Sequence, residues 1–304
     1  MIMEQMAKEL SLPVNHVARL VKTASYQYKE YPIAKRGGGT RIISHPSRRL
    51  KALQKWLLAN VIILWPVHDS ATAYRKGRTI LDNAKSHAGT RFLLRMDIQE
   101  FFPSLTVKDM SSYKGSRPHL FKNWTEQDFE WFCFLIFRFG KLTIGAPTSP
   151  AISNALCFDL DVALDGISQS RGVNYTRYAD DLFFSTNEPR LLVDVEQAVK
   201  KSVSTQHIPH ALRINEVKTR HSSKKGARRV TGITLGSDGN VYVGRPLKRR
   251  VRAQVHNLDS LAPIDRIRLA GMISYIVGFD PQFLNALILK YGYAQAYRAR
   301  KGRD

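Results

Sequence analysis

With 304 residues, 47 Lys plus Arg against 25 Asp plus Glu and a net charge of +22, the chain is long enough to bury a sizeable core. It is also more basic than solubility requires, since a net charge of about 2–8 suffices for that in a small domain. The excess is spread along the sequence instead of collected in a tail, so a polyanion, above all nucleic acid, is the expected partner. The longest apolar runs, residues 61–67 and 131–137, are far below the ~20 residues that span a bilayer. The N-terminal Met-Ile-Met-Glu-Gln-Met has no basic leader region. No membrane partner is expected, and the cytoplasm is the expected location. Cys133 and Cys157 lack zinc or disulfide spacing and read as core thiols in a reducing compartment.

In chain order, Ser11 and Pro13 open a short helix with Val14, Val17 and Leu20 on one side, an N-terminal cap over residues 1–30. Arg36 to Ile43 places a glycine turn between basic residues ahead of a β-branched run, which predicts a hairpin or ribbon. From Ser47, Leu50, Leu53, Leu57, Val61 and Leu64 recur at helical spacing until Pro66. Phe92, Leu94 and Met96 alternate with Leu93, Arg95 and Asp97 in a buried strand that ends on a carboxylate. After Pro147 and Pro150 one helix carries Ile152, Leu156, Leu160 and Leu164. Residues 175–184 read as a hairpin interrupted by Asp180-Asp181, and residues 191–203 as an amphipathic helix. Val230–Leu235 and Val241–Val243 flank Gly236 to Asn240 as another hairpin, and everything beyond Pro246 is basic and helical.

Two-metal nucleotidyl transfer needs hard oxygen ligands from neighbouring strands, holding two Mg²⁺ ions about 3.5–4 Å apart. Asp97 at a strand end and Asp180-Asp181 in a hairpin supply three such carboxylates. An Asp pair in a hairpin is also ordinary turn chemistry. The tetrad Tyr178-Ala179-Asp180-Asp181 after Tyr-Thr-Arg, with Asp97-Ile98-Gln99-Glu100-Phe101-Phe102-Pro103-Ser104 upstream, resembles reverse transcriptases over about residues 31–291. The resemblance implies an α+β right-hand polymerase, with fingers and palm over residues 31–235 and a small helical thumb over residues 236–304. It also implies that Asp97, Asp180 and Asp181 are the metal ligands, that Ile98 offers its carbonyl to the nucleotide-side metal, and that Phe102 is a steric gate that selects deoxynucleotides. A plain core aromatic is the bland alternative for Phe102.

Triphosphate charge calls for cationic side chains on a flexible ribbon. Lys35, Arg36 and Arg41 match the fingers motif that touches it. Gly145-Ala146-Pro147-Thr148-Ser149-Pro150 resembles the motif beneath the templating base pair, where an unencumbered backbone allows close approach. Ile144 stands where the family usually has glutamine. Lys218 in Leu212 to Thr219 matches the palm lysine near the pyrophosphate, as general acid or phosphate contact.

Asn83-Ala84-Lys85-Ser86-His87 and Val230-Thr231-Gly232 resemble the retron signatures Asn-Ala-x-x-His and Val-Thr-Gly. On physics alone these are a helical turn and the start of a strand. Membership of the retron group would imply copying a cognate structured noncoding RNA into a branched RNA–DNA hybrid (msDNA) for anti-phage defence, beside an effector (toxin) protein. Asn83, His87, Tyr178, Lys248, Arg249, Arg250 and Arg252 are the expected RNA/DNA contacts, and Tyr275, Tyr291 and Tyr293 are stacking candidates more readily explained by packing. Fifty-eight residues follow Pro246, too few for a thumb and an RNase H domain, so RNA removal is expected from host RNase H. The rival readings are another bacterial reverse transcriptase (group II intron-like or diversity-generating), a noncatalytic RNA-binding scaffold and a nuclease.

Overall fold

The computed structural model describes residues 2–34 and 38–302. In chain order the elements are α1 (Ile2–Glu9), α2 (Val14–Lys22), β1 (Tyr28–Ala34), β2 (Thr40–Pro46), α3 (Arg48–Asn60), α4 (Ile80–Ala88), β3 (Phe92–Asp97), α5 (Phe101–Ser104), α6 (Val107–Ser116), α7 (Glu126–Ile136), α8 (Ser149–Leu156) and α9 (Phe158–Gln169). They continue as β4 (Asn174–Tyr178), β5 (Asp181–Thr186), α10 (Leu191–Thr205), β6 (Arg220–Ser223), β7 (Arg228–Val230), β8 (Ile233–Leu235), β9 (Val241–Tyr242), α11 (Arg245–His256), α12 (Pro263–Phe279), α13 (Gln282–Tyr291) and α14 (Tyr293–Lys301). The chain forms two compact units. One comprises Met1–Lys76, Leu94–Phe184 and Arg190–Arg220, the other Gly77–Leu93, Ser185–Pro189 and His221–Asp304.

In the first unit, β1 and β2 form an antiparallel ribbon in which Ala34 faces Thr40, so the chain reverses between them. Strands β4, β5 and β3 lie side by side in that order in one sheet. Strand β3 buries Leu94, Met96 and Asp97 while Arg95 remains exposed. Trp65 anchors an aromatic core, its ring centroid 5.4–5.5 Å from those of Tyr113, Phe121 and Phe132. Burial of such rings contributes on the order of 1.5–3 kcal/mol each. Helices α6 and α7 start at full capping boxes, Thr106 with Asp109 and Thr125 with Asp128. Cys133 and Cys157 are core thiols whose pKa values burial pushes up to about 12.

Two predicted helices are shorter than their apolar repeats suggest. Helix α3 ends at Asn60, and a 3-10 turn at Ile62–Leu64 leaves Leu64 exposed. The helix expected through Ile152 and Leu164 breaks at Cys157 into α8 and α9. The cap is two helices, with Val17, Leu20 and Val21 buried and Val14 exposed.

In the second unit, α4 packs on the β7-β8-β9 sheet. The strand expected over residues 230–235 is interrupted. Thr231 (φ 47°) and Gly232 (φ 86°) both turn left-handed, so Val-Thr-Gly closes the β7-β8 hairpin instead of opening a strand. Helices α11–α14 surround a separate core of Val251, Val255, Leu269, Ile273, Ile276, Phe283, Leu287, Ala296 and Ala299. Among the described residues no helix is long and apolar enough to cross a membrane.

Candidate active site

The strand alternation that buries Asp97 also places Arg95 two residues earlier on the same side. Asp97 ends β3 at 4% exposure and accepts two hydrogen bonds from Lys218 Nζ, at 2.9 and 3.0 Å. Lys218 closes a 3-10 turn whose start is fixed twice. Asn215 N donates to the Asp97 carbonyl at 2.7 Å, and the Asn215 side chain accepts from Lys218 N.

The neighbouring hairpin reverses through Ala179 and Asp180, with Ala179 left-handed at φ 57°. Ile98 N donates to the Asp180 carbonyl at 2.9 Å, tying this turn to the end of β3. Asp181 accepts a forked ion pair from Arg95, with Nε at 3.0 Å and Nη2 at 2.8 and 3.1 Å. Burial, opposed by Arg95, pushes the Asp181 carboxyl up to about 6. Burial, followed by the nearby Asp97 charge, raises Asp180 as well. These are reluctant anions that positive charge would stabilise.

Behind the turn lies a network without solvent. Asp161, fully buried, accepts from Arg177 Nε at 2.7 Å, Arg177 Nη2 at 2.6 Å and the Tyr175 hydroxyl at 2.8 Å. Arg177 Nη1 reaches Asn154 Oδ1 at 3.2 Å and the Ala179 carbonyl at 3.4 Å. The fork therefore ends on the backbone that bends just before Asp180.

The other predicted residues divide. Phe102 is half-buried, its ring against Phe101 at 5.3 Å and Tyr74 at 6.5 Å, and Tyr178 lies 6.4 Å from Tyr74. Gly145 (φ 121°) is a close-approach glycine, because a Cβ there would stand 2.7 Å from the Ser44 carbonyl. Ile144 offers its carbonyl to Ser44 N at 2.8 Å. Arg41 is exposed on β2 and near enough to act electrostatically on Asp180 and Tyr74. Lys35 and Arg36 lie outside the described residues.

Asn83 and His87 do not reach the surface. Both are 0% exposed, and His87 Nδ1 lies 2.7 Å from Ser185 Oγ, with burial lowering its pKa to about 3. The expectation of nucleic-acid contact is corrected for these two, since a wholly buried side chain offers no contact surface. On α11, Arg249 and Arg250 are exposed. Lys248 pairs with Asp280 at 2.7 Å, and Lys248 and Arg252 both lie over the Phe283 ring. Tyr293 is exposed and stacks on Tyr297, Tyr275 is exposed beside Phe279, and Tyr291 packs against the helical core.

No site role was assigned from sequence to Arg95, Tyr74, Asn154, Asp161 or Arg177. For Arg95 the strand alternation carried the signal. The others are assembled only by tertiary contacts.

Three oxygen-donor carboxylates suit a hard divalent cation such as Mg²⁺. Among the described residues, however, no three of His, Cys, Asp and Glu converge as a metal cluster. Asp97 and Asp181 are instead turned to Lys218 and Arg95.

The fold is that of a template-directed polymerase. Residues 33–235 match the family described as Reverse transcriptase (RNA-dependent DNA polymerase). A foamy viral protease-reverse transcriptase structure shares the fold at TM-score 0.52 and 14% identity, over 90% of this chain and 44% of that one. The retron Ec83 reverse transcriptase of Escherichia coli is 36% identical over 276 residues, 87% of each chain. The retron Ec86 reverse transcriptase of Escherichia coli is 30% identical over 301 residues, 95% of this chain and 90% of that one. The chain therefore belongs to the retron-type reverse transcriptases and is an RNA-directed DNA polymerase.

Proposed function

We propose that the protein copies part of a cognate structured noncoding RNA into DNA, giving a branched RNA–DNA hybrid used in anti-phage defence in the cytoplasm. The observation that carries the chemistry is the junction of β3 with the β4-β5 turn, where Lys218 binds Asp97 and bears on Asp180 while Arg95 binds Asp181. Asp97, Asp180, Asp181 and the Ile98 carbonyl would hold two Mg²⁺ ions, which supply charge neutralisation and activation of the attacking hydroxyl. The raised pKa values of Asp180 and Asp181 support this, because bound cations would offset the burial, and after it the neighbouring charge, that raises them.

Within this reading, Lys218 donates a proton or a charge-assisted hydrogen bond to the leaving pyrophosphate, and Arg41, with Lys35 and Arg36, neutralises the triphosphate. Phe102 lies under the sugar and excludes a 2′-hydroxyl. The Gly145 backbone and Tyr178 border the base pair, and Arg249 and Arg250 hold RNA phosphates. Residues 31–235 serve as fingers and palm and residues 236–304 as thumb. Deoxynucleoside triphosphates, the RNA and its product, an effector protein and host RNase H complete the partners. The likeness to Ec83 and Ec86 relatives supports the retron assignment over other bacterial reverse transcriptases.

The test is incorporation of labelled deoxynucleotides by the purified protein with its neighbouring noncoding RNA, with and without Mg²⁺. A short DNA joined to RNA through a nuclease-resistant branch is expected. Asp180→Asn with Asp181→Asn should abolish it, a loss of at least about 10³-fold. Synthesis on an added primer-template alone would sink the branched-product reading and leave the polymerase.

A further inference from the structure

Tyr74 is held in a conformation that a tyrosine rarely adopts. Its φ of 61° lies in the left-handed region, where a side chain costs free energy and glycine would not. The surrounding backbone enforces it. Asn154 Nδ2 donates to the Ala73 carbonyl at 2.9 Å. Thr72 N and Oγ1 both donate to the Arg177 carbonyl, at 2.8 and 3.0 Å, and Arg177 N donates to the Ser70 carbonyl at 2.7 Å. The strained segment is thus laced along β4 immediately before Asp180.

Strain of this kind persists where the surroundings over-determine it, and it clusters at functional sites. Core packing does not explain the ring, which is 48% exposed. The ring centroid lies 6.5 Å from that of Phe102 and 6.4 Å from that of Tyr178. Burial raises the Tyr74 hydroxyl pKa, Asp180 raises it further and Arg41 opposes both, so carboxylate and guanidinium both bear on it.

We propose that Tyr74 is a second aromatic wall of the deoxynucleotide pocket, bracing the Phe102 ring against the sugar of the incoming nucleotide, with Asn154 as its positioning residue. This rests on the reading of Phe102 as the sugar gate. Tyr74 supplies the contact that keeps Phe102 from yielding to a 2′-hydroxyl, and the left-handed backbone brings the ring there.

The experiment uses the full chain on poly(rA) primed with oligo(dT), measuring kcat and KM for dTTP and for its ribose counterpart. Tyr74→Ala and Tyr74→Gly should raise the dTTP KM about tenfold with kcat within about threefold. They should also reduce discrimination against the ribose form about tenfold or more. Tyr74→Phe should keep both near wild type, because the ring does the work. Tyr74→Gly relieves the backbone strain, so its melting temperature should match or exceed that of Tyr74→Ala, which shows that the functional loss is not unfolding. Unchanged KM and discrimination in both truncations would overturn the proposal, as would a loss in Tyr74→Phe equal to that in Tyr74→Ala. Phe102→Ala separates the two readings. If it relaxes sugar discrimination while the Tyr74 truncations do not, the gate stands and Tyr74 is excluded. If Phe102→Ala leaves discrimination intact, the gate reading itself fails.

Discussion

Two sets of ion pairs lie within one unit and contrast in what surrounds them. Asp161 and Arg177 are both 0% exposed, and the carboxylate is saturated by Arg177 and Tyr175. Asp97 and Asp181 lie at a surface where their partners are half-solvated, Lys218 at 57% and Arg95 at 45%. A pair buried at both ends cannot exchange partners without stranding a charge, whereas a half-solvated cation returns to water readily and can give way to another positive charge at the carboxylate. The first arrangement suits a fixed support, the second a place where positive charge arrives and leaves. That the two meet at Arg177 and Ala179 means the support ends where the exchangeable site begins.

The most severe way to break the contrast is Asp161→Ala, which leaves Arg177 charged in a dry interior. We expect a loss of about 3–5 kcal/mol, read by chemical denaturation. The double variant Asp161→Leu, Arg177→Met should recover much of it, and no recovery would count against the pair as the cause. Next is Asp181. Its folded pKa of about 6 exceeds the ordinary 3.8, so its contribution favours folding below pH ~4 and is lost as the pH rises through ~6. Without divalent metal, Asp181→Asn should therefore be more stable than wild type by about 3 kcal/mol at pH 7.5, and the curves should converge near pH 4. A constant offset across that window would refute the assignment.

A smaller effect is expected from Arg95→Ala, which removes the cation competing for Asp181. Half-saturating Mg²⁺ for incorporation should fall about threefold, less than 1 kcal/mol, and a rise would mean that Arg95 positions the carboxylate instead of competing for it. The smallest effect belongs to Arg268 and Asp265, 68% and 40% exposed. Arg268→Ala should change stability by no more than about 0.5 kcal/mol.

Legibility in the sequence followed the same division. The strand ending at Asp97 and the hairpin around Asp180-Asp181 could be read because alternation and turn residues are local signals. Helix α10 was equally clear, with Leu192, Val195, Val199 and Val203 buried. Periodicity did not reveal the break at Cys157, because apolar residues every four positions continue across it. Asn83 and His87 were expected as contact residues from the retron resemblance, with no local physical signal behind it, and tertiary packing encloses both in the second unit. The left-handed Tyr74 left no local trace, since nothing about Ala-Tyr-Arg announces a positive φ.

The capping aspartates of α6 and α7 are each bonded twice. In Asp109 one oxygen closes the first helical turn and the other accepts from His210 N at 2.9 Å and lies 2.5 Å from its Nδ1, 101 positions along the chain. In Asp128 the second oxygen accepts from Ile2 N at 3.0 Å, 126 positions away. Helix initiation, usually a private matter of four residues, is here coupled to the arrival of remote chain. Each carboxylate acts as a two-ended clasp, so that fraying at the amino terminus or at the loop around His210 would be felt at the start of a helix far away in sequence, and secondary and tertiary order in this unit would be gained and lost together.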